Sequence, residues 1–315
     1  MLEKTLIGHD DILEIILKML RNNNLHNSII FSGKKGIGKY SYVLVLAKFL
    51  LSHDINTLKT LDTISIDSKI NTLVDNNACP DLLLITPDFD TKKQVFKDII
   101  NVEAIRKIND FIQKTGSNNR YKIVIIDSTD NLNINASNAL LKNLEEPAKN
   151  TLFLLVSHSY NSLLDTIKSR CINLPFKDLS AEDMLNILHT EHIPYQEENI
   201  ANLIHMAQGS YANLLWYLNE DNLKIYLEIL KIFNKNTTNM DIFSLVNMLK
   251  SQENFDYSYA FTIIINILIS LNNVDLEEVD SLLNEIKYLA KTSQSLYLDK
   301  STVLLNILFK VKSLY

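Results

Sequence analysis

Hydrophobic residues return at two different spacings along the first half of this chain, and the switches between them mark its elements. Leu13, Ile16, Leu17 and Leu20 recur at the steps of one helical face before Arg21, Asn22, Asn23 and Asn24 interrupt them, which predicts an amphipathic helix and a turn. Ser28, Ile29, Ile30, Phe31 and Ser32 form a short β-branched run that predicts a strand. A glycine-rich turn at 33–38 then leads into a buried helix at 42–51. The polar stretch 52–78 is weakly patterned and reads as an irregular insertion, after which Asp81, Leu82, Leu83, Leu84 and Ile85 predict a second strand closed by Thr86, Pro87 and Asp88. Val102, Ile105, Ile108 and Ile112 share a helical face, and a polar turn at 116–120 leads into the strongest strand signal, 122–127. A helix at 135–146 stops before Pro147, and 151–157 is a further run of β-branched and aromatic residues.

Alternation of this kind implies a mostly parallel sheet with helices on both faces and ligands beyond the carboxyl ends of its strands. The expected first domain is therefore α/β and covers 1–174. After Pro175 the strand signals fade, and Ser180, with Asp183 in the first turn, carries helix-start chemistry. Leu185, Ile187 and Leu188, then Ile200, Leu203 and Ile204, predict short helices ending near Gly209, which gives a small helical lid domain at 175–220. From 221 to 315 there is neither Gly nor Pro among long helical patterns, so an all-α third domain is expected there.

At 315 residues the chain is long enough for two or three domains, and 46% hydrophobic against 22% charged residues, with 6 Gly and 5 Pro, predicts folded structure throughout. The longest apolar stretches stop well short of the roughly 20 residues of a bilayer span, and no secretory signal is visible, so a soluble cytoplasmic protein without a membrane is expected. Cys79 and Cys171 stand far apart and outside any C-x-x-C pair, which leaves no disulfide framework and no zinc site. A net charge of -6 disfavours a chain that coats nucleic acid by itself.

Gly33, Gly36, Gly38 and Lys39 reproduce the frame G-x-x-x-x-G-K between a strand and a helix, where backbone amides can surround phosphates and a lysine can reach their outer oxygens. The same glycines also serve a turn that merely starts a helix, and both readings stand at this point. The next position calls for the short hydroxyl of Ser or Thr on magnesium, and Tyr40 occupies it; Ser41 is turned about 100° away around the helix. Asp127 ends the strong strand, where an ATPase of this architecture keeps an acidic pair, but Ser128 follows it. Asp127 thus reads either as a metal-site remnant or as an ordinary strand-end aspartate, and Asp130 as a cap of the next helix. No bound metal is expected.

These pieces occur in a fixed order: Ile7, Gly8, His9, Asp10; the glycine loop; Cys79, Pro80, Asp81; the acidic strand end; Asn138 to Lys142 leading to Glu145, Glu146 and Pro147; and Ser169, Arg170, Cys171. In that order they resemble the clamp-loader branch of the AAA+ proteins and, within it, the delta-prime type of the bacterial DNA polymerase III loader. The resemblance covers most of 1–174 and implies a P-loop AAA+ domain, a lid and an oligomerising collar. It implies that Arg170, within the Ser169 and Cys171 triplet, is an arginine finger given in trans to ATP on a neighbouring subunit; on spacing alone, Arg170 is a surface arginine. It places Ser157 where the γ-phosphate is sensed, although a strand-end hydroxyl bonded to backbone is the favoured reading. It also expects a sensing arginine near Gly209 to Asn213, where none occurs, and a cysteine-ligated zinc module at 52–80, where only Cys79 remains.

The implied partners are gamma/tau-type ATPases and delta, and, through the complex, a sliding clamp and primed DNA. The chain would bind ATP, if at all, without splitting it, because Tyr40, Ser128 and the missing arginine remove separate parts of the site. The alternative is an active loader ATPase. Lys93, Lys97 and Arg106 are candidate DNA-facing residues, with a solvated helix face as the favoured explanation.

Overall fold

The computed structural model describes residues 7–58, 65–87, 89–90, 95–96, 99–113, 120–234, 236–251, 257–270, 281–282, 284–286, 288–289 and 299–313. The chain divides into two compact units, Met1–Asn213 and Leu214–Tyr315.

The first unit begins with α1 (Asp10–Arg21), β1 (Ser28–Ser32), α2 (Lys39–Ser52), α3 (Ile55–Leu58), α4 (Ser68–Asp75) and β2 (Leu82–Ile85). Two two-residue strands, β3 (Phe89–Asp90) and β4 (Val95–Phe96), pair as a small antiparallel ribbon. Then come α5 (Val102–Gln113), β5 (Lys122–Ile126), α6 (Ile134–Glu145), β6 (Thr151–Ser157), α7 (Asp165–Lys168), β7 (Ile172–Pro175), α8 (Ala181–Thr190) and α9 (Glu197–Ala207), and α10 (Tyr211–Leu218) starts in this unit. The main sheet has five strands in the order β2-β5-β6-β1-β7, and every pairing is parallel. The middle strands are apolar along their whole length because helices cover both faces: all five residues of β1 and all seven of β6 are buried. On one side Ile105, Ile108 and Phe111 of α5 and Leu140 and Leu144 of α6 pack with Val124, Phe153 and Leu155 of the sheet.

The stretch expected to be an irregular insertion is helical in α3 and α4, while 59–64 lie outside the described residues. Its weak pattern has a physical reason. Helix α4 buries only Ile70 and Val74, and it is tied down by a polar contact in which the Lys48 ammonium of α2 meets Asn71 at 2.8 Å and Asp75 at 2.5 Å. The start of α8 follows the expected chemistry, since Ser180 and Asp183 form a reciprocal capping box. Helices α8 and α9, expected as part of a lid at 175–220, belong to the first unit.

The second unit carries α11 (Glu220–Ile232), α12 (Asn239–Ser251), α13 (Tyr257–Ser270) and α14 (Lys300–Lys312), with no strand among its described residues. Ile225, Ile229 and Ile232 of α11 and Leu304, Ile307, Leu308 and Val311 of α14 are buried at helical spacing. Asn219 and Asp299 cap these two helices by accepting from Asp221 and Ser301 amides. Among the described residues no helix is long and apolar enough to cross a membrane.

Candidate functional site

Five parallel strands put all their carboxyl ends on one edge and all their amino ends on the other. The sequence-predicted residues fall into two groups on opposite edges. Gly33, Gly36, Gly38 and Lys39 follow β1, Asp127 follows β5 and Ser157 ends β6, so these share the carboxyl edge. Ser169, Arg170 and Cys171 precede β7 and stand at the amino edge.

On the carboxyl edge the loop 33–38 is fixed mainly by contacts to its own chain. The Gly33 amide donates to Ser157 O at 3.2 Å, and Gly38 (φ +90°) is the left-handed entry into α2. Gly36 has φ +84°, and a Cβ there would lie 2.4 Å from Ser210 Oγ and 2.6 Å from Ala212 Cβ, so only glycine fits beneath the 210–212 segment. That segment reaches back: Ser210 Oγ donates to Lys35 O at 3.0 Å, and the Ala212 amide donates to Gly36 O at 3.1 Å. Lys34 bridges to Asp178 and to Gln208 O, both at 2.9 Å. Beneath the loop, buried His9 meets Ile37 O through Nε2 at 2.9 Å, which explains what the Gly8, His9 opening does locally.

Lys39 is 2% exposed, and its ammonium donates to Gly33 O at 2.6 Å and to Lys34 O at 2.5 Å. Burial pulls it down to about 8, and the carboxylates of Asp130 and Asp127 oppose that fall. Burial pushes the Asp127 carboxyl up, countered first by a bond from the Ser128 amide and then by the Lys39 charge, and one of its buried oxygens, Oδ1, has no partner. Burial and then the Asp127 charge push the Tyr40 phenol up. Ser128 sits at φ +64° with its hydroxyl 3.1 Å from His158 Nε2, and the His158 amide donates to Asp130 Oδ1 at 2.8 Å. The His158 imidazole is held down to about 4, first by burial and next by the Lys39 cation.

One expectation changes here. Asp130 does not cap α6: its carboxylate takes the His158 amide, and Asn133, nearer the helix start, accepts from the Ala136 amide at 2.8 Å. Ser157 is fully buried and its hydroxyl accepts the Ser159 amide at 3.2 Å, the backbone role favoured for it. His158 was missed. Its signal was a histidine directly after a buried strand that neighbours an acidic strand end. Among the described residues no three His, Cys, Asp or Glu side chains gather as metal ligands.

On the amino edge Ile167 anchors the single turn α7, and the next residues emerge toward solvent. Ser169 Oγ donates to Thr166 O at 3.1 Å. The Cys171 thiol is pushed up to about 12 by burial and is not a nucleophile at neutral pH. Arg170, with its side chain 33% exposed, donates through Nη1 to Thr166 O at 2.9 Å and to Ser169 Oγ at 3.1 Å, and pairs through Nη2 with Glu145 Oε1 at 2.5 Å. It borders an open cavity of about 750 Å³ whose lining includes Asn24, His26, Asn27, Ser28, Glu145 and Arg170. Since β7 runs Ile172–Pro175 and Pro175 pairs with Ser32 just before the glycine loop, roughly 15 Å of extended strand separates Arg170 from its own chain's loop.

Residues 8–180 match the model of the family described as DNA polymerase III, delta subunit. The chain belongs to that family. It is 27% identical over 259 residues to DNA polymerase III subunit tau/gamma of Haemophilus influenzae, covering 81% of this chain and 34% of that one. It is 30% identical over 195 residues to subunit delta' of Bacillus subtilis, covering 61% and 55% respectively. The chain thus spans from about a third to just over half the length of these curated relatives. A DNA polymerase III, gamma subunit-related protein of Thermotoga maritima shares the fold, with a TM-score of 0.52 at 18% identity over 95% of this chain and 99% of that one. The match to the delta-subunit family spans both edges of the sheet, from the loop to the Ser169, Arg170, Cys171 triplet. Of the basic residues considered for DNA contact, Arg106 is exposed on α5, and Lys93 and Lys97 lie outside the described residues.

Proposed function

We propose that this chain is a non-hydrolysing, delta-prime type subunit of a DNA polymerase III clamp loader, which lends Arg170 to a nucleotide held by a neighbouring subunit. The observation that carries this reading is the position of Arg170: it is partly exposed on the amino edge, a strand's length from the loop of its own chain. A guanidinium placed there is out of reach of its own chain's loop, which suits a phosphate that another chain presents. Its planar, permanent charge suits the charge spread over phosphoryl oxygens during transfer, and a finger of this kind is worth roughly a thousandfold or more in rate.

The carboxyl edge supports the absence of hydrolysis. A P-loop ATPase needs a hydroxyl and a carboxylate on magnesium and a lysine free to meet phosphate. Here the hydroxyl position holds Tyr40, Ser128 is engaged with His158, and Lys39 is bonded to two loop carbonyls. These residues do not fit a magnesium nucleotide poised for cleavage. In this reading the chain works in the cytoplasm with gamma/tau-type ATPases and delta, so that the complex closes a sliding clamp on primed DNA. Neither polymerase nor ATPase chemistry, and no zinc, belongs to this chain.

The test is a reconstituted loader carrying Arg170→Ala. It should assemble normally, while ATP cleavage at the site facing Arg170 drops by roughly a thousandfold and DNA-stimulated turnover falls accordingly. Unchanged turnover removes the trans role. The partnerless Oδ1 of Asp127 favours a second reading, an ATPase in its own right. Magnesium-dependent turnover by the isolated chain, abolished by Lys39→Ala, would establish it.

A further inference from the structure

The Glu145 carboxylate ends α6 within a Glu-Glu-Pro sequence, and nothing in the fold requires a charge at that position: its side chain is 47% exposed and packs into no core. What it touches is Arg170. The guanidinium is held on Nη1 by Thr166 O and Ser169 Oγ and on Nη2 by Glu145 Oε1, so the Nη2 anchor comes from α6 and the others from α7 and the residue after it. Anchors on both terminal nitrogens fix the plane of the fork as well as its place, whereas anchoring at Nη1 alone would let it swivel. Glu145 and Arg170 both line the same open cavity, so the pair borders the space a ligand would enter. The carbonyl end of α6 adds a favourable field for a cation beside its last residue.

We propose that Glu145 is the positioning residue of Arg170, holding its guanidinium in the orientation in which it meets a phosphoryl group presented by the adjoining subunit; this rests on the trans role proposed above. The strength of the pair is not the basis, because an ion pair this exposed contributes little stability. Orientation is. A free arginine side chain carries a large rotamer entropy, and a fork already anchored on both terminal nitrogens loses less of it when it engages. Because the gain arises where charge develops, it appears in the cleavage step and leaves ground-state nucleotide binding unchanged.

The experiment is rapid-quench, single-turnover ATP cleavage by the reconstituted loader with clamp and primed DNA, using wild type, Arg170→Ala, Glu145→Ala, Glu145→Gln and the Arg170→Ala/Glu145→Ala double variant. Arg170→Ala identifies the phase that depends on the finger. Glu145→Ala should slow that phase on the order of tenfold, keep its amplitude and leave the ATP concentration for half-saturation unchanged. Glu145→Gln, which keeps an acceptor oxygen, should fall between wild type and alanine. The double variant should be no slower than Arg170→Ala alone, since a positioning group has nothing left to position. If Arg170→Ala removes no phase, the trans role itself fails. If Arg170→Ala removes the phase but Glu145→Ala leaves its rate intact, or if the double variant is slower than Arg170→Ala, the positioning role alone is overturned.

Discussion

The two edges of the sheet handle their polar groups in opposite ways. On the carboxyl edge Lys39 bonds Gly33 O and Lys34 O, Ser128 meets His158, Asp130 takes the His158 amide, and Ser210 and Ala212 bond loop carbonyls. On the amino edge Arg170 is held by Thr166, Ser169 and Glu145 yet stays partly exposed beside an open cavity, with N–H groups left for a ligand. Under the proposal, the phosphate loop with its lysine engaged internally serves as scaffold, and the arginine at the far edge is the working group. One fold thus keeps a motif for its geometry at one end and, under the proposal, a motif for its chemistry at the other.

The largest stability effect should come from the carboxyl edge. Gly36→Ala forces a left-handed residue and drives its Cβ into Ser210 and Ala212, and should cost about 3 kcal/mol. Gly38→Ala shares the left-handed strain, but its Cβ would meet nothing within 4 Å, so it should cost only about 1 kcal/mol. Urea denaturation of both variants measures the difference. Equal losses would mean that Ser210 and Ala212 do not press on the loop, and the account of this edge as packed scaffold would lose its main support.

Most of the sheet was legible in the chain because β1, β5 and β6 are continuous apolar runs and α5 keeps a strict helical face. What escaped had a common cause, namely dependence on a partner distant in sequence. The insertion gave no pattern because α4 is held by Lys48, 23 and 27 residues from its partners. The loop and the Ser-Arg-Cys triplet were visible as motifs, but His158 against Ser128 and Glu145 against Arg170 are contacts that only the sheet brings together. Asp130 was misread as a cap because a local rule was applied where Asn133 stood closer to the helix start.

A smaller effect tests the electrostatics of the carboxyl edge. The folded chain holds His158 near a pKa of about 4 against 6.5 for a free imidazole. Between those values the unfolded chain binds more protons, so this histidine makes stability rise with pH across that window and adds no slope above or below it. His158→Gln should flatten the rise, narrowing the stability difference between about pH 4.5 and about pH 7 by roughly 1–2 kcal/mol after allowance for partial solvent screening. Identical pH profiles for the two proteins would place His158 in water rather than against Lys39 and Asp130.

The smallest expected effect is the most direct attempt to erase the contrast between the edges. Tyr40→Thr restores the short hydroxyl that the loop frame calls for at the head of α2. If Tyr40 were the whole defect, the isolated chain would gain magnesium-dependent ATP turnover. The geometry argues otherwise. Lys39 would still be bonded to Gly33 O and Lys34 O, Ser128 would still face His158 where a second carboxylate is needed, and Arg170 would still be a strand's length from the loop. Each absence removes a separate contribution to phosphoryl transfer, so restoring one leaves the others missing. The expected turnover of Tyr40→Thr is therefore background, measured by phosphate release with and without DNA. Any activity above it that also requires Lys39 would make the carboxyl edge a single substitution away from catalysis and would end its description as scaffold.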